Sequence, residues 1–350
     1  MLDGLSANER WSLLLGVESS QRKSADFLAE WLARDRLAAV KGFGELVRRH
    51  PDAAWAAAVR CGTESHAARW DLILKVTRQE LRGDALAVFE AGIAVGMTGE
   101  NPVAALSMVS DETSTGSRMV LSAKQQARQL VIERTAQGLP SLAIEWVAKE
   151  AQGSSSAWQS LCRGLSNHGL QSIDNSTLPS LLGTIPEGCS SSIEELLVGP
   201  DRSPSRTDDA QKILAALNPS DQELVSAKKR NSILMVLARH TPELFDSAYF
   251  NERNTVDAYS VGRGRPKTSV DENLAWAASL GSASARDEAI RGVVHGLMDG
   301  GSHFSSMEIS QIPQDSPIYR IAVSSMVEWL GENGCQQEAD AWQSHLEQLK

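Results

Sequence analysis

Ala285-Arg-Asp-Glu-Ala-Ile-Arg-Gly-Val-Val294 decides the fold. In and just beyond it, Ile290, Val293, Val294 and Leu297 fall at i, i+3, i+4 and i+7. That spacing lines up apolar side chains along one face of a 3.6-residue helix. Ala339, Trp342, Leu346 and Leu349 draw the same stripe near the C-terminus. Strand-length alternation rich in Val, Ile and Thr is missing from the sequence. The composition agrees, with 42 Ala and 38 Leu against 18 aromatic residues. Alanine and leucine lose little side-chain freedom in a helix. The chain reads as all-α.

Helix starts recur outward from that stretch. Ser6-x-x-Glu9, Ser192-x-x-Glu195, Ser220-x-x-Glu223, Ser269-x-x-Glu272 and Ser305-x-x-Glu308 have capping-box form. Pro51, Pro102, Pro140, Pro219 and Pro242 suit the first position of a helix, where a missing N–H costs nothing. Ten such signals predict many helices of about 10–20 residues joined by short turns.

A loose repeat runs through these helices. Pro51-Asp-Ala-Ala-Trp55, Asn101-Pro-Val-Ala-Ala-Leu106, Leu139-Pro-Ser-Leu-Ala-Ile-Glu-Trp146 and Leu274-Ala-Trp276-Ala-Ala-Ser-Leu280 share a turn, small residues and a bulky anchor. Trp31-Leu-Ala and Glu328-Trp329-Leu330 look like related pieces. Paired alanines let helices approach closely, while Trp or Leu fills the gap between hairpins, so the tryptophans read as core anchors. On these segments the chain resembles α-helical repeat proteins of the tetratricopeptide and HEAT kind. It is most similar to the degenerate A-A-x-x-W hairpin repeats of large, uncharacterised bacterial proteins. The resemblance implies an α-solenoid of stacked antiparallel helical hairpins and a role in binding other proteins. The full tetratricopeptide pattern within 34 residues is missing, and Pro51, Pro102 and Pro140 are unevenly spaced.

Polar stretches divide the array. Ser154-Ser-Ser156, Ser190-Ser-Ser192 and Gly199-Pro-Asp-Arg-Ser-Pro-Ser205 predict one helical lobe over 1–199, a linker at 200–208 and a second lobe over 209–350. Residues 251–270 read as a long loop inside the second lobe.

Charge narrows the function classes. The chain has 350 residues and a formal charge of −10, which speaks against a general electrostatic footprint for nucleic acid. The closest two of its four cysteines, Cys162 and Cys189, stand 27 residues apart, which is no zinc-ligand spacing, and scattered reduced thiols are expected. No run approaches the ~18 apolar residues of a membrane span, and the start of the chain lacks the form of a signal peptide. Cytoplasm is the default location, with export the alternative if a signal had been removed.

One local motif points elsewhere. Gly262-Arg263-Gly264-Arg265-Pro266-Lys267 resembles the AT-hook, an extended segment whose arginines enter the minor groove of A·T-rich DNA. Arg263, Gly264 and Arg265 are its candidate nucleic-acid contacts. It occurs once, between Asp257 and Asp271-Glu272, so a loop whose arginines meet acidic groups is the competing reading. Lys228-Lys-Arg230 reads as a solvated helix face. The pairs Asp208-Asp209, Glu194-Glu195 and Asp271-Glu272 read as first-turn residues favoured by the helix dipole, and otherwise as carboxylates of a helical-barrel glycan enzyme. The seven histidines form no metal motif, and no P-loop, nucleophile elbow or dinucleotide fingerprint is present. The expectation is a non-catalytic scaffold for another protein or peptide, with no cofactor and no metal.

Overall fold

The computed structural model describes residues 43–44, 46–48, 51–64, 67–110, 117–151, 154–167, 170, 173–187, 190–198, 207–217, 225–246, 248–250, 255–266, 270–301 and 307–348. Every regular element among them is helical. The chain divides into two compact units, residues 1–168 and 169–350. The division falls earlier than the expected linker, whose residues 200–206 lie outside the described set while 207–208 already open a helix.

The first unit holds α1 (Pro51–Glu64), α2 (Ala67–Glu80), α3 (Gly83–Met97), α4 (Pro102–Met108), α5 (Arg118–Gly138), α6 (Pro140–Glu150) and α7 (Ser155–Asn167). Pro51, Pro102 and Pro140 each open a helix as the sequence predicts. Asn101 and Ser117 cap the next helices by accepting from the Ala104 and Val120 N–H groups. Packing runs between alternate elements: α1 on α3, α3 on α5 and α5 on α7. Val88, Phe89, Ile93, Ile132, Trp158 and Leu161 form the middle of the core. Trp70 of α2 donates its indole N–H to the Gly62 carbonyl at 3.0 Å.

The second unit holds α8 (Thr177–Thr184), α9 (Ser190–Val198), α10 (Thr207–Ala216), α11 (Ala227–His240), α12 (Ala258–Gly264), α13 (Val270–Ala278), α14 (Ala283–Met298), α15 (Tyr319–Glu332) and α16 (Gln336–Gln348). Short 3-10 turns cover Pro242–Leu244 and Thr255–Asp257. Here α9 packs on α11, α11 on α12, α12 on α14, α14 on α15 and α15 on α16. Ile290, Val293, Val294 and Leu297 are all buried, as their spacing requires. Ser226 and Ser282 cap α11 and α14. The left-handed Gly334, at φ 78°, follows the end of α15.

The same arrangement of five helices occurs in both units. α1, α2, α3, α5 and α6 pair with one another as α12, α13, α14, α15 and α16 do: first on third, second on third, third on fourth, fourth on fifth. Ala58, Gly62, Gly92 and Gly96 at the first crossing return two hundred positions later as Ala258, Gly262, Gly292 and Gly296 at the second. The backbones nearly touch at both. A Cβ on Gly62 would lie 2.7 Å from the Ile93 carbonyl oxygen, and one on Gly262 would lie 3.0 Å from the Val293 nitrogen. Neither leaves room for a side chain. Trp146 and Trp342 likewise follow the half-matched runs Gly138-x-x-x-x-Ala143 and Gly334-x-x-x-x-Ala339, whose alanines are both buried. This recurrence differs from the loose repeat of the sequence, which matched the 51–55 segment to 101–106 and 139–146.

Several expectations are corrected. Residues 255–264 are a 3-10 turn and a helix where a loop was expected, because Gly262 and Gly264 seat α12 against its neighbours instead of loosening it. Lys228-Lys-Arg230 is a solvated face only at Lys228. The Lys229 ammonium donates to the Gly183 carbonyl, and burial lowers its pKa. Ser192-x-x-Glu195 and the Glu194-Glu195 pair lie inside α9, which starts at Ser190, so neither is at a helix start. Asp208-Asp209 and Asp271-Glu272 do occupy first turns. Trp55, Trp146, Trp276 and Trp329 are half-buried, whereas Trp70 and Trp158 are buried. Trp31, Leu349, Cys189, Pro219 and Lys267 lie outside the described residues, as do the capping serines Ser6, Ser220, Ser269 and Ser305.

Candidate functional site

The polar groups of the second unit converge around α12. Three helices each offer two residues one turn apart: Tyr259 and Arg263 on α12, His295 and Asp299 at the end of α14, Ser325 and Trp329 on α15. The close glycine crossing brings the first two pairs side by side. Arg263 donates from Nε to Asp299 Oδ2 at 2.9 Å and from Nη2 to Asp299 Oδ1 at 3.2 Å. Its Nη1 donates to the Tyr259 hydroxyl at 3.1 Å. That hydroxyl lies 2.9 Å from His295 Nδ1, and His295 Nε2 lies 3.1 Å from the Ser325 carbonyl oxygen. The Trp329 indole donates to Asp299 Oδ1 at 3.2 Å.

A carbonyl only accepts, so Nε2 of His295 carries the proton. In its neutral form the imidazole takes the Tyr259 hydroxyl hydrogen bond at Nδ1. Burial pushes its pKa down, and the nearby Arg263 charge adds to that against the Ser325 carbonyl, Glu328 and Glu332. The bidentate Asp299 contact, helped by Tyr259, holds the Arg263 pKa up in spite of partial burial. Burial raises the Tyr259 hydroxyl. The ladder has a buried imidazole at one end and half-exposed Tyr, Arg and Trp at the other.

Arg265 turns away from Arg263. Its guanidinium stacks 4.3 Å over the Trp276 ring, with Nε donating to Asn273 at 2.8 Å and Nη1 to the Pro242 carbonyl at 3.2 Å. Burial lowers its pKa, opposed by Glu243 and Glu272. Gly264 lies between the two arginines, buried against the Met235 backbone of α11. The three residues expected to contact DNA thus face different neighbours at the end of a helix, and residues 262–264 are helical where an extended segment was expected. Nearby, the buried Asp257 carboxylate accepts from Arg230 Nε at 3.1 Å, Arg230 Nη2 at 2.6 Å and the Tyr249 hydroxyl at 2.8 Å. Arg230 also donates to the Leu217 carbonyl. Burial works against the Arg230 charge, but Asp257 outweighs it and holds the pKa up. Burial and the Asp257 charge push the Tyr249 hydroxyl up. This cluster ties four segments of the second unit together.

The first unit carries a cavity of about 530 Å³ instead. One face of α5 supplies Leu121, Lys124, Gln125, Arg128, Gln129 and Ile132. Ala87, Glu90 and Ala91 come from α3, Met108 and Val109 from the end of α4, and Ser156 and Ala157 from the first turn of α7. Glu90 already accepts from Arg78 Nε at 2.6 Å. Sequence reasoning passed over this site, because its residues come from four helices and share no motif. The one local signal was Lys124 and Arg128, two like charges a turn apart on α5.

Of the acid pairs, Glu194 pairs with Arg239 at 2.6 Å, and Asp209 accepts from the Leu170 N–H at 2.9 Å. Among the described residues no three His, Cys, Asp or Glu side chains are grouped to hold a metal. No described helix is long and apolar enough to cross a membrane. The chain is thus an all-helical protein of two units sharing a five-helix arrangement. It matches no family model, no curated protein and no solved structure.

Proposed function

We propose that the chain is a non-catalytic interaction scaffold, with the helices of each unit stacked as hairpins in the manner of an α-solenoid. The partner-binding face in the second unit is the outer rim of the Tyr259–Arg263–Asp299–Trp329 ladder. The supporting observation is that half-exposed Tyr, Arg and Trp side chains are held in place by hydrogen bonds to one another. These three residue types dominate binding hot spots, and side chains ordered in advance lose little entropy on binding. Residues 262–264 are helical, Arg263 pairs with Asp299 and Arg265 stacks on Trp276, which leaves the DNA reading without its extended segment. The test is affinity capture from the source cells with the full chain and two kinds of variant. Trp329→Ala and Arg263→Ala should each release a stoichiometric protein partner that the wild type and Trp342→Ala retain. No such partner, or retention unchanged by both ladder variants, overturns the reading.

A further inference from the structure

We propose that the partner of the ladder's outer rim is a basic segment of another protein, rich in Lys and Arg, which lays a cation over the Trp329 ring among carboxylates of α14 and α15. This rests on the scaffold reading of the same face and adds the chemistry of its partner. The charge of the chain is unevenly spread. Residues 1–168 hold 19 Asp and Glu and 19 Lys and Arg, whereas residues 271–350, from the first turn of α13 through α16, hold 12 acids and 4 bases. No pairing within that segment can neutralise such an excess, and the rest of the chain also has more acids than bases. At the rim the excess meets aromatic side chains. Arg263 is held by Asp299, and Arg291 is shared between Glu288 at 3.1 Å and Glu328 at 3.3 Å. Glu332 is exposed on α15, one turn beyond Glu328 and three residues from Trp329. Burial dominates the pKa shifts of His295 and Tyr259, and the Glu332 charge adds an upward pull at each, which places it at the ladder. The Trp329 indole among these groups is half-exposed and already oriented by Asp299. An aromatic face beside carboxylates suits a Lys or Arg side chain, because the ring attracts the cation and the carboxylates accept from its N–H groups. Charge also decides against other occupants. A nucleic acid would be repelled, and a second copy would set the same acidic face against itself.

The probe is a fluorescein-labelled peptide of Arg-Ser repeats, with Gln-Ser repeats of the same length as its neutral counterpart. Each is titrated by fluorescence anisotropy against the full chain at physiological ionic strength. The Arg peptide should bind saturably at one equivalent and roughly tenfold tighter than the Gln peptide, because two partly exposed charge contacts add up to about that factor. Glu332→Lys should weaken the Arg peptide roughly fivefold. Asp315→Lys makes the same change of charge ahead of the opposite end of α15, about 20 Å along the helix. That distance exceeds the screening length of about 8 Å, so its effect should stay below about twofold. Trp329→Leu should weaken the Arg peptide roughly threefold through the lost ring contact. Circular dichroism checks that each variant keeps its helix signal. Equal affinity for the two peptides, non-saturable binding, or equal effects of Glu332→Lys and Asp315→Lys each overturn the proposal. A dimer of the chain in analytical ultracentrifugation that Trp329→Leu disperses would assign the face to a second copy and overturn it too. If affinity capture recovers a partner that the ladder variants lose while the Arg peptide does not bind, the scaffold reading stands and this one falls.

Discussion

Where α1 crosses α3, Val59, Thr63, Val95 and Gly99 stand in the places that Tyr259, Arg263, His295 and Asp299 fill where α12 crosses α14. Ala57 likewise stands where the second unit has the buried Asp257. The glycines and alanines that set the helix separation are the same at both crossings, and the flanking side chains differ in every one of these places. The close approach of the two helices goes with the four small residues that both crossings share, whose glycines leave no room for a Cβ. The flanks are left open to carry apolar filler in one unit and a hydrogen-bonded ladder in the other. In the first unit Thr63 turns its hydroxyl back to the Val59 carbonyl at 3.0 Å, a bond within its own helix. Arg263, its counterpart, reaches across to a second helix.

The largest expected effect comes from giving the second unit the first unit's residue at Asp257. Asp257→Ala strands the Arg230 guanidinium in the core and should cost about 3–5 kcal/mol in denaturant unfolding, the usual result of removing one partner of a buried pair. Adding Arg230→Met should recover more than half of that loss. If Asp257→Ala alone is neutral, the pair is not desolvated and the contrast with Ala57 has no energetic content.

Next come the shared glycines. A Cβ on Gly96 would lie 2.7 Å from both the Gly62 Cα and the Thr63 nitrogen, and one on Gly296 would lie 2.6 Å from the Arg263 carbonyl oxygen. Gly96→Ala and Gly296→Ala should each destabilise by about 2 kcal/mol in spite of alanine's better helix propensity. Gly331→Ala is the control: it lies in α15 with open space around it and should be neutral or stabilise by up to about 1 kcal/mol. A cost at one crossing and none at the other would break the equivalence of the two units.

The smallest effect separates the flanks by pH. The folded state holds His295 neutral, with a pKa below the ordinary 6.5, so the unfolded chain takes up the proton first. The His295 contribution is complete above that ordinary value and is lost as pH falls from it towards the lowered folded value. Burial lowers the His240 pKa too, so the wild type keeps a second source of the same trend. His295→Val, the first unit's residue, should cost about 1–2 kcal/mol at neutral pH through its two lost hydrogen bonds. It should also flatten part of the acid-side slope in thermal melts. An unchanged slope would mean that the imidazole is not held neutral by this ladder.

Much of the helical scaffold was legible in the residues. The stripe from Ile290 to Leu297 is buried as spaced, and the prolines at 51, 102, 140 and 242 open helical turns. The errors share a cause. Gly262 and Gly264 read as loop because glycine weakens an isolated helix, yet in contact with α14 and α11 that same lack of a side chain makes the helix fit. Lys229 and Arg230 read as solvated because charge normally is, until a carbonyl and a carboxylate from distant segments meet them. The ladder left a trace in the i, i+4 pairs Tyr259/Arg263 and His295/Asp299, but nothing local says that two such pairs on different helices face each other.

By itself, the sequence determined that the described chain is helical, and where the four helical segments opened by Pro51, Pro102, Pro140 and Pro242 begin, because period, fixed proline geometry and propensity act over a turn or two of backbone. Only the tertiary structure decided which helices cross, that one crossing is built twice, and which charges are enclosed. Those outcomes depend on contacts between residues far apart in the chain, whose energies exist only once the backbones have come together.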